Sequence, residues 1–184
     1  MIGENEIMDL ISYKRKKHSI GVAKVAVEMA KRESLSVKKA KIAGLLHDIA
    51  KDYSKEELIK RAAQSNWEID KYEKLLPSLL HAPVGADIAK VKFDISDYDI
   101  LEAIRYHTVG SPDMGKLSLI IFVADIIEPE RNFPGVKKLR LKARENLIDA
   151  VIAVCNHTLK YNIDKERIIH PNTLLLRNKY IGGN

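Results

Sequence analysis

Apolar residues recur at helical spacing along almost the whole chain of 184 residues. Near the N-terminus they fall three and four positions apart, which predicts one helix whose inward face includes His18. The residues on that face are Ile7, Leu10, Ile11, His18, Val22, Val25 and Met29. No two-residue turn signal separates alternating apolar runs, so the pattern predicts no β-sheet. We therefore expect an all-α fold.

Capping residues and prolines predict where the later helices begin and end. Ser36 is placed to cap a second helix that runs to Asp48, and Ser54 with Glu57 forms a capping-box pattern that opens a third. The remaining predicted helices are 83–92, one from Ser96 or Asp99 to His107, the apolar KLSLIIFVADII before Pro129, 136–161 and 171–180. We expect a single domain over 1–184, with its candidate chemistry at about 14–131 and C-terminal helices at about 136–181.

The composition is that of a globular protein, with 46% hydrophobic and 30% charged residues. No apolar stretch approaches the roughly 20 residues of a membrane span, and the N-terminus lacks a signal-peptide pattern. The single cysteine, Cys155, excludes an internal disulfide and is typical of a cytoplasmic protein. The net charge of +6 permits an anionic partner. The basic run KRKK at 14–17 is only a weak sign of nucleic acid binding.

The pair His47-Asp48 ends an apolar helical run, where polar side chains are costly to bury. Asp125 lies within LSLIIFVADII, so its carboxylate needs a metal cation or a basic partner in a buried salt bridge. An inward-facing histidine such as His18 is, by itself, more often a satisfied core residue. Taken together, two histidines and two aspartates on three inward-facing segments favour a metal site. Because the set contains no thiolate, its ligands suit iron, manganese or a catalytic zinc.

Two more histidines and three basic residues are candidates for contacts to a phosphate. His81 and His107 are placed to hold a second metal, to contact a phosphate or to give a proton to a leaving oxygen. For each histidine alone, a helix-end residue stabilised by the helix dipole is an equal alternative. Arg15, Lys51 and Arg131 can each clamp a phosphate beside the metal.

The ordered series of these residues resembles that of the HD-domain metallophosphohydrolases. Its members are His18, His47, Asp48, His81, His107 and Asp125. Longer segments closely resemble the YqeK group and span nearly the whole chain: RKKHSIGVAKVA, AGLLHDIAKD, LLHAPVGA, AIRYHTVG, LIIFVADIIEPERNFPGV and HPNTLLLRNKY. One departure is Val109, where many relatives are expected to have a threonine. The resemblance implies an HD-domain helical bundle.

The resemblance also implies a symmetrical bis(5′-nucleosyl)-tetraphosphatase, which uses iron to cut diadenosine tetraphosphate into two ADP molecules. It places the metal ligands at His18, His47, Asp48 and Asp125, and phosphate contacts at Arg15, His81, His107 and Arg131. Lys51 is a further candidate for substrate binding, and Asp48, His81 and His107 are the candidate catalytic residues.

Several alternatives stay open at this point. Manganese or another divalent metal can replace iron, and a second metal at His81 and His107 is undecided. The substrate is expected to be a dinucleoside polyphosphate, with no membrane partner, and a homodimer is one expected assembly. Other functions that fit the pattern are hydrolysis of a different nucleotide phosphate, nucleotide sensing without turnover, and a nucleic-acid-binding helical module.

Overall fold

The structure is a computed structural model that describes residues 10–182. Within this range every regular element is helical, as predicted. One 3₁₀ helix, Pro77–Leu80, accompanies ten α-helices: α1 Tyr13–Arg32, α2 Val37–Leu46, α3 Lys55–Ala62, α4 Lys71–Leu75, α5 His81–Lys92, α6 Tyr98–Tyr106, α7 Lys116–Ile127, α8 Val136–Glu145, α9 Leu147–Asp164 and α10 Pro171–Ile181. No helix in the described range is both long and apolar enough to cross a membrane.

The serines expected at two helix starts do cap them. The Ser36 hydroxyl accepts a hydrogen bond from the backbone N–H of Lys39, and Ser54 does the same for Glu57. The Glu57 carboxylate pairs with Arg61 one turn later, so the structure gives no reciprocal half of the predicted capping box. A complete capping box occurs instead at the start of α4, which was not predicted.

The prediction of one helix over 136–161 was wrong. Asn146 adopts an extended backbone conformation and divides the region into α8 and α9. Its side-chain oxygen accepts hydrogen bonds from the backbone N–H groups of Ile148 and Asp149, at 2.8 and 3.0 Å. The first N–H groups of a helix have no partner within it, so these bonds to Asn146 stabilise the start of a new helix at this point. The apolar periodicity continues across the break and therefore conceals it.

Other boundaries differ by a few residues from the prediction. The first helix begins at Tyr13, whereas Leu10 and Ile11 precede it and the predicted position Ile7 lies outside the described residues. The fifth helix begins two residues before Pro83, which its first turn accommodates. The N-cap of α6 is Asp97, not Ser96, because the Asp97 carboxylate accepts from a backbone N–H of the first turn.

Helix α7 lies at the centre of the bundle, where it packs against α1, α2, α6, α8 and α9. Its residues Ile120, Ile121 and Phe122 are almost completely buried. Complete burial of each such side chain contributes about 1.5–3 kcal/mol. This packing carries Asp125, near the end of α7, into the interior beside α1 and α2.

A close contact between α1 and α2 brings the first two histidines together. A Cβ atom on Gly44 would lie only 2.6 Å from the Cα atom of Ala23, so a larger residue would push the two helices apart. His18 is in the middle of α1, and His47 follows the last residue of α2. The helix contact therefore sets the distance between their imidazole rings.

Candidate metal centre

Six side chains that can bind a metal converge where five helical segments meet. Four histidines and two aspartates take part, all of them predicted from the sequence. His18 comes from α1, His47 and Asp48 from the end of α2, His81 from the start of α5, His107 from the end of α6 and Asp125 from α7.

Asp48 lies between two pairs of histidines. Its Oδ1 atom is 3.3 Å from Nε2 of His81 and 3.4 Å from Nε2 of His107. Its Oδ2 atom is 3.6 Å from Nε2 of His47 and 3.7 Å from Nε2 of His18. One carboxylate therefore faces all four imidazoles, with a different oxygen toward each pair.

Two groups of three side chains have ligand atoms close enough to share an ion. His18, His47 and Asp125 form one group, and His47, Asp48 and His107 form the other. Within each group the ligand atoms lie within 4.8 Å of one another. In the first, Nε2 of His18 is 3.0 Å from Asp125 Oδ1 and 3.2 Å from Nε2 of His47. Because His47 belongs to both groups and directs only Nε2 into the centre, the two groups are alternative ligand sets around that nitrogen.

Three of the histidines are oriented by the same local device. Each occupies the C-cap position of a short helix, where the last carbonyl groups lack helical partners. Its Nδ1–H donates to the carbonyl oxygen three residues earlier, and Nε2 then points into the centre. The pairs are His47 with Gly44 at 2.8 Å, His81 with Ser78 at 2.6 Å and His107 with Ile104 at 2.8 Å.

His18 lies inside a helix and is held by a carboxylate instead. Its Nδ1 atom is 3.1 Å from Oε1 of Glu128, a residue that is 1% exposed. Glu128 Oε2 accepts a hydrogen bond from the backbone N–H of Glu130 at 2.7 Å. A Cβ atom on Gly21 would lie 2.7 Å from the same Oε2 atom, so the glycine leaves space for the buried carboxylate. Nε2 of His18 then points at Asp125, 3.0 Å away, and a metal ion that binds Nε2 would take the place of its proton.

Burial sets the charge state of the two most enclosed histidines. It lowers the pKa of His47 and of His81 to about 4 in the metal-free chain, so both rings are neutral near pH 7. Burial alone would raise the pKa of the two aspartates, but neighbouring groups outweigh it. The imidazole of His47 contributes most for Asp48, and the hydrogen bond from His18 contributes most for Asp125. The pKa of each carboxyl group therefore lies below its ordinary value, and both carboxylates are charged.

The three predicted basic residues surround this centre. Arg15 donates to Oδ2 of Asp48. Arg131 donates from Nε to the backbone oxygen of Asp125 at 2.9 Å and from Nη2 to its Oδ1 atom. Lys51 Nζ lies 3.0 Å from Nε2 of His81. Arg131 is thus the basic partner that the sequence analysis expected for Asp125, and the imidazole of His18 is a second one.

Comparison with known proteins identifies the family. The family described as "HD domain" matches residues 15–130, a range that includes all six convergent side chains. This chain is an HD-domain protein. Two curated relatives, both named "Bis(5′-nucleosyl)-tetraphosphatase, symmetrical", are each 40% identical to it. The relative from Halalkalibacterium halodurans aligns over 91% of this chain and 89% of its own length, and that from Bacillus subtilis over 90% and 89%.

A solved structure supports the same family assignment. A crystal structure at 1.50 Å resolution of a "predicted HD superfamily hydrolase" from Clostridium acetobutylicum is similar to this HD-domain protein, with a TM-score of 0.94 and 38% identity. Each chain is covered completely. That hydrolase is described as involved in NAD metabolism. The likeness confirms the expected HD-domain bundle.

The side chains of this HD domain fit a divalent metal ion. All the convergent donors are imidazole nitrogens or carboxylate oxygens, which suit divalent iron, manganese and zinc. The neutral rings of His47 and His81 present lone pairs, and the carboxylates of Asp48 and Asp125 offset the positive charge of an ion. HD-domain membership carries the same expectation of a divalent metal.

Three residues that support the site were not predicted. Glu128 is one. The Thr108 hydroxyl lies 3.0 Å from Nε2 of His107 and 3.1 Å from that of His81. Arg140 donates to four carbonyl oxygens of the turn after α7 and so fixes the segment that carries Glu128 and Arg131. The motifs LIIFVADIIEPERNFPGV and AIRYHTVG contain Glu128 and Thr108, but neither side chain stands on a periodic apolar face.

Proposed function

We propose that this HD-domain protein is a metal-dependent hydrolase that cleaves diadenosine tetraphosphate symmetrically into two ADP molecules. The observation that carries the proposal is the convergence of six metal-binding side chains beside three basic residues. The 40% identity to relatives named symmetrical bis(5′-nucleosyl)-tetraphosphatases, over about nine-tenths of the chain, indicates which phosphate chain is cut.

The proposed ligands of the first metal ion are His18, His47, Asp48 and Asp125. Iron is the proposed metal, with manganese or another divalent ion as a substitute. A second ion is proposed between His81 and His107, on the other side of Asp48. One observation supports a second position: Asp48 directs one oxygen toward His81 and His107 and the other toward His47 and His18. A divalent ion bound by these residues would supply a Lewis acid and would lower the pKa of a bound water molecule.

The protein side chains then have three tasks. Arg131, Arg15 and Lys51 bind phosphate oxygens and offset the charge that develops on them. Asp48 orients the attacking water. His81 and His107 donate from Nδ1 to backbone carbonyls, so in the neutral ring Nε2 carries a lone pair. That tautomer favours metal binding or hydrogen-bond acceptance for these two residues over proton donation to the leaving ADP.

A test of the proposal begins with anaerobic loading of ferrous iron, followed by identification of the products from diadenosine tetraphosphate. We expect the wild-type protein to release ADP alone. Replacing Asp48 with Ala should lower turnover by a factor of about 10³ or more, since it removes a proposed metal ligand whose carboxylate faces all four histidines. Asp99→Ala is the matched control, because Asp99 is exposed and pairs with Lys39 at the surface.

The far-UV circular dichroism of the Asp48→Ala variant should remain that of a helical protein. Release of ATP and AMP in equal amounts would contradict symmetrical cleavage. Undiminished turnover in Asp48→Ala would contradict the assignment of the site, whatever the products are.

A second candidate is hydrolysis of a different dinucleotide. The similar hydrolase from Clostridium acetobutylicum is described as involved in NAD metabolism, so NAD and nicotinate adenine dinucleotide belong in the substrate panel. Faster hydrolysis of either than of diadenosine tetraphosphate would favour this function. Tight nucleotide binding without turnover would favour a sensor. A cytoplasmic location and a homodimeric assembly stay predictions.

A further inference from the structure

A large cavity opens beside the metal centre. Its volume is about 1270 Å³, above the roughly 300–1,000 Å³ of most small-molecule sites. Thr108, Asp125 and Arg131 line its inner end, so the cavity is continuous with the proposed phosphate site. The remainder is lined mainly by α9 and the segment before α10, together with residues around the 3₁₀ helix and in the loop before α8. A ligand that extends outward from the metal centre therefore enters this space.

Most of the exposed surface of the cavity is apolar, and its polar side chains lie mainly on α9, on the segment before α10 and at the metal centre. The apolar lining comes from Leu76, Leu79, Val109, Ile126, Phe133 and Ile169. Thr158 and Asn162 lie in the same lining and can form hydrogen bonds to the edge of a ligand. Apolar walls with a few polar groups are typical of sites for flat organic molecules.

An aromatic pair lies within this lining. The ring of Phe133 stacks on the imidazole of His157, with centroids 4.5 Å apart and planes inclined by 21°. Both side chains are half-buried, and burial lowers the pKa of His157, which favours the neutral ring. Phe133 follows Arg131 by two residues, and Arg131 is bonded to Asp125. The chain thus ties the aromatic surface directly to the residue proposed to clamp phosphate.

We propose that this cavity is a nucleoside subsite, in which the base of one substrate nucleoside packs against the Phe133–His157 pair. The proposal rests on the proposed function, since it gives the nucleoside of a dinucleoside polyphosphate a location. A phosphate chain anchored at Arg131 and the metal centre leads its nucleoside into the cavity. A base offers the flat aromatic face that Phe133 and His157 can contact, and its polar edge can reach Thr158 or Asn162.

The test compares two ligands that share phosphates and differ in the nucleoside. Binding of ADP and of pyrophosphate to the manganese-loaded protein is measured by equilibrium dialysis, for wild type, Phe133→Ala and His157→Ala. Stacking of a base on an aromatic side chain is worth enough to change affinity by about 5- to 100-fold. We expect a loss of that size for ADP in at least one variant, and a change below about twofold for pyrophosphate.

Two further variants serve as controls, one that keeps the aromatic ring and one that removes a ring elsewhere. Phe133→Tyr retains an aromatic face and should keep wild-type affinity for ADP. Tyr98→Ala removes an aromatic ring that is 62% exposed and outside the cavity lining, and it should leave both affinities unchanged. Circular dichroism verifies that each variant remains helical.

Unchanged ADP affinity in both alanine variants would overturn the subsite. An equal loss for ADP and pyrophosphate would also overturn it, because the substitution would then act on the phosphate site. Failure of the proposed function has a different signature: wild-type protein would bind ADP in the dialysis experiment but release no ADP from diadenosine tetraphosphate.

Discussion

Replacing Glu128 with Gln tests how this HD-domain protein orients His18, its first proposed metal ligand. The carboxylate is 1% exposed and uses both oxygens. One accepts from His18 Nδ1–H at 3.1 Å, and the other accepts from the backbone N–H of Glu130 at 2.7 Å. The substitution keeps the size of the side chain but exchanges one acceptor oxygen for an NH₂ donor.

The size of the effect follows from this count of acceptors. An amide has one oxygen, so one of the two N–H donors must face another donor in a buried place. Leaving a buried polar group unsatisfied costs about 1–3 kcal/mol. If the lost bond is the one to His18, the ring loses its orientation and the metal loses a well-placed ligand. Comparable substitutions beside metal ligands lower metal affinity by about 10- to 100-fold.

The assay is an anaerobic titration of manganese or ferrous iron against a competing chelator, so it does not depend on turnover. Glu57→Gln is the matched control: it makes the same chemical change at a carboxylate that is 38% exposed and pairs with Arg61. Gly21→Ala supplies an independent perturbation, because its Cβ atom would lie 2.7 Å from Oε2 of Glu128. We expect both Glu128→Gln and Gly21→Ala to weaken metal binding.

Wild-type metal affinity in Glu128→Gln, in protein whose circular dichroism is unchanged, would refute this reasoning. So would an equal loss in Glu57→Gln, since that loss would come from a general effect of removing a negative charge.

Two further predictions concern stability. Asn146→Ala should lower the free energy of unfolding by about 1 kcal/mol, or the melting temperature by about 2–4 °C, because it removes the N-cap of α9. Asn66→Ala, at an exposed position, should leave both unchanged. The metal-free protein should lose stability in acid, because an unfolded histidine takes up its proton near pH 6.5 whereas folded His47 and His81 do so near pH 4. The stability that each neutral ring contributes is fully present above pH 6.5. It is lost as the pH falls from 6.5 through 4, by up to about 3 kcal/mol for each residue. The raised pKa of His18 acts in the opposite direction. Urea unfolding at pH 7, 6 and 5 measures the difference, and equal midpoints would contradict it.

The fold was largely predictable because its signals are local. Helical spacing of apolar residues and capping side chains each involve residues within one or two turns. Local signals also explain the errors. Periodicity continues across Asn146 and conceals the break, although an asparagine that can cap was visible in the sequence. Helix α4 has only five residues, too few for a period, and its capping box was the only sign of it.

The residues that line the centre were predictable for an energetic reason. A carboxylate such as Asp125 inside an apolar segment must have a positive partner, and that requirement can be read from one stretch of sequence. Glu128 could not be identified in this way. It follows the apolar segment and precedes a proline, a position typical of an exposed turn. Its burial depends on Gly21 and His18, the latter 110 residues away in sequence, so only the tertiary structure reveals its role.

The two interpretations of the helix-end histidines are compatible with each other in the structure. From the sequence, His107 was either a ligand or a residue stabilised at a helix terminus, and these were alternatives. In the structure the C-cap position provides the carbonyl that accepts from Nδ1–H, and this bond aims Nε2 at Asp48. His47 and His81 repeat the arrangement at two other helix ends. A helix terminus therefore supplies, from its own unpaired carbonyl groups, the orientation that His18 obtains from the distant carboxylate of Glu128. For this reason we expect substitutions around His18 to affect metal binding through tertiary contacts, whereas the other three histidines depend on the integrity of their own helix ends.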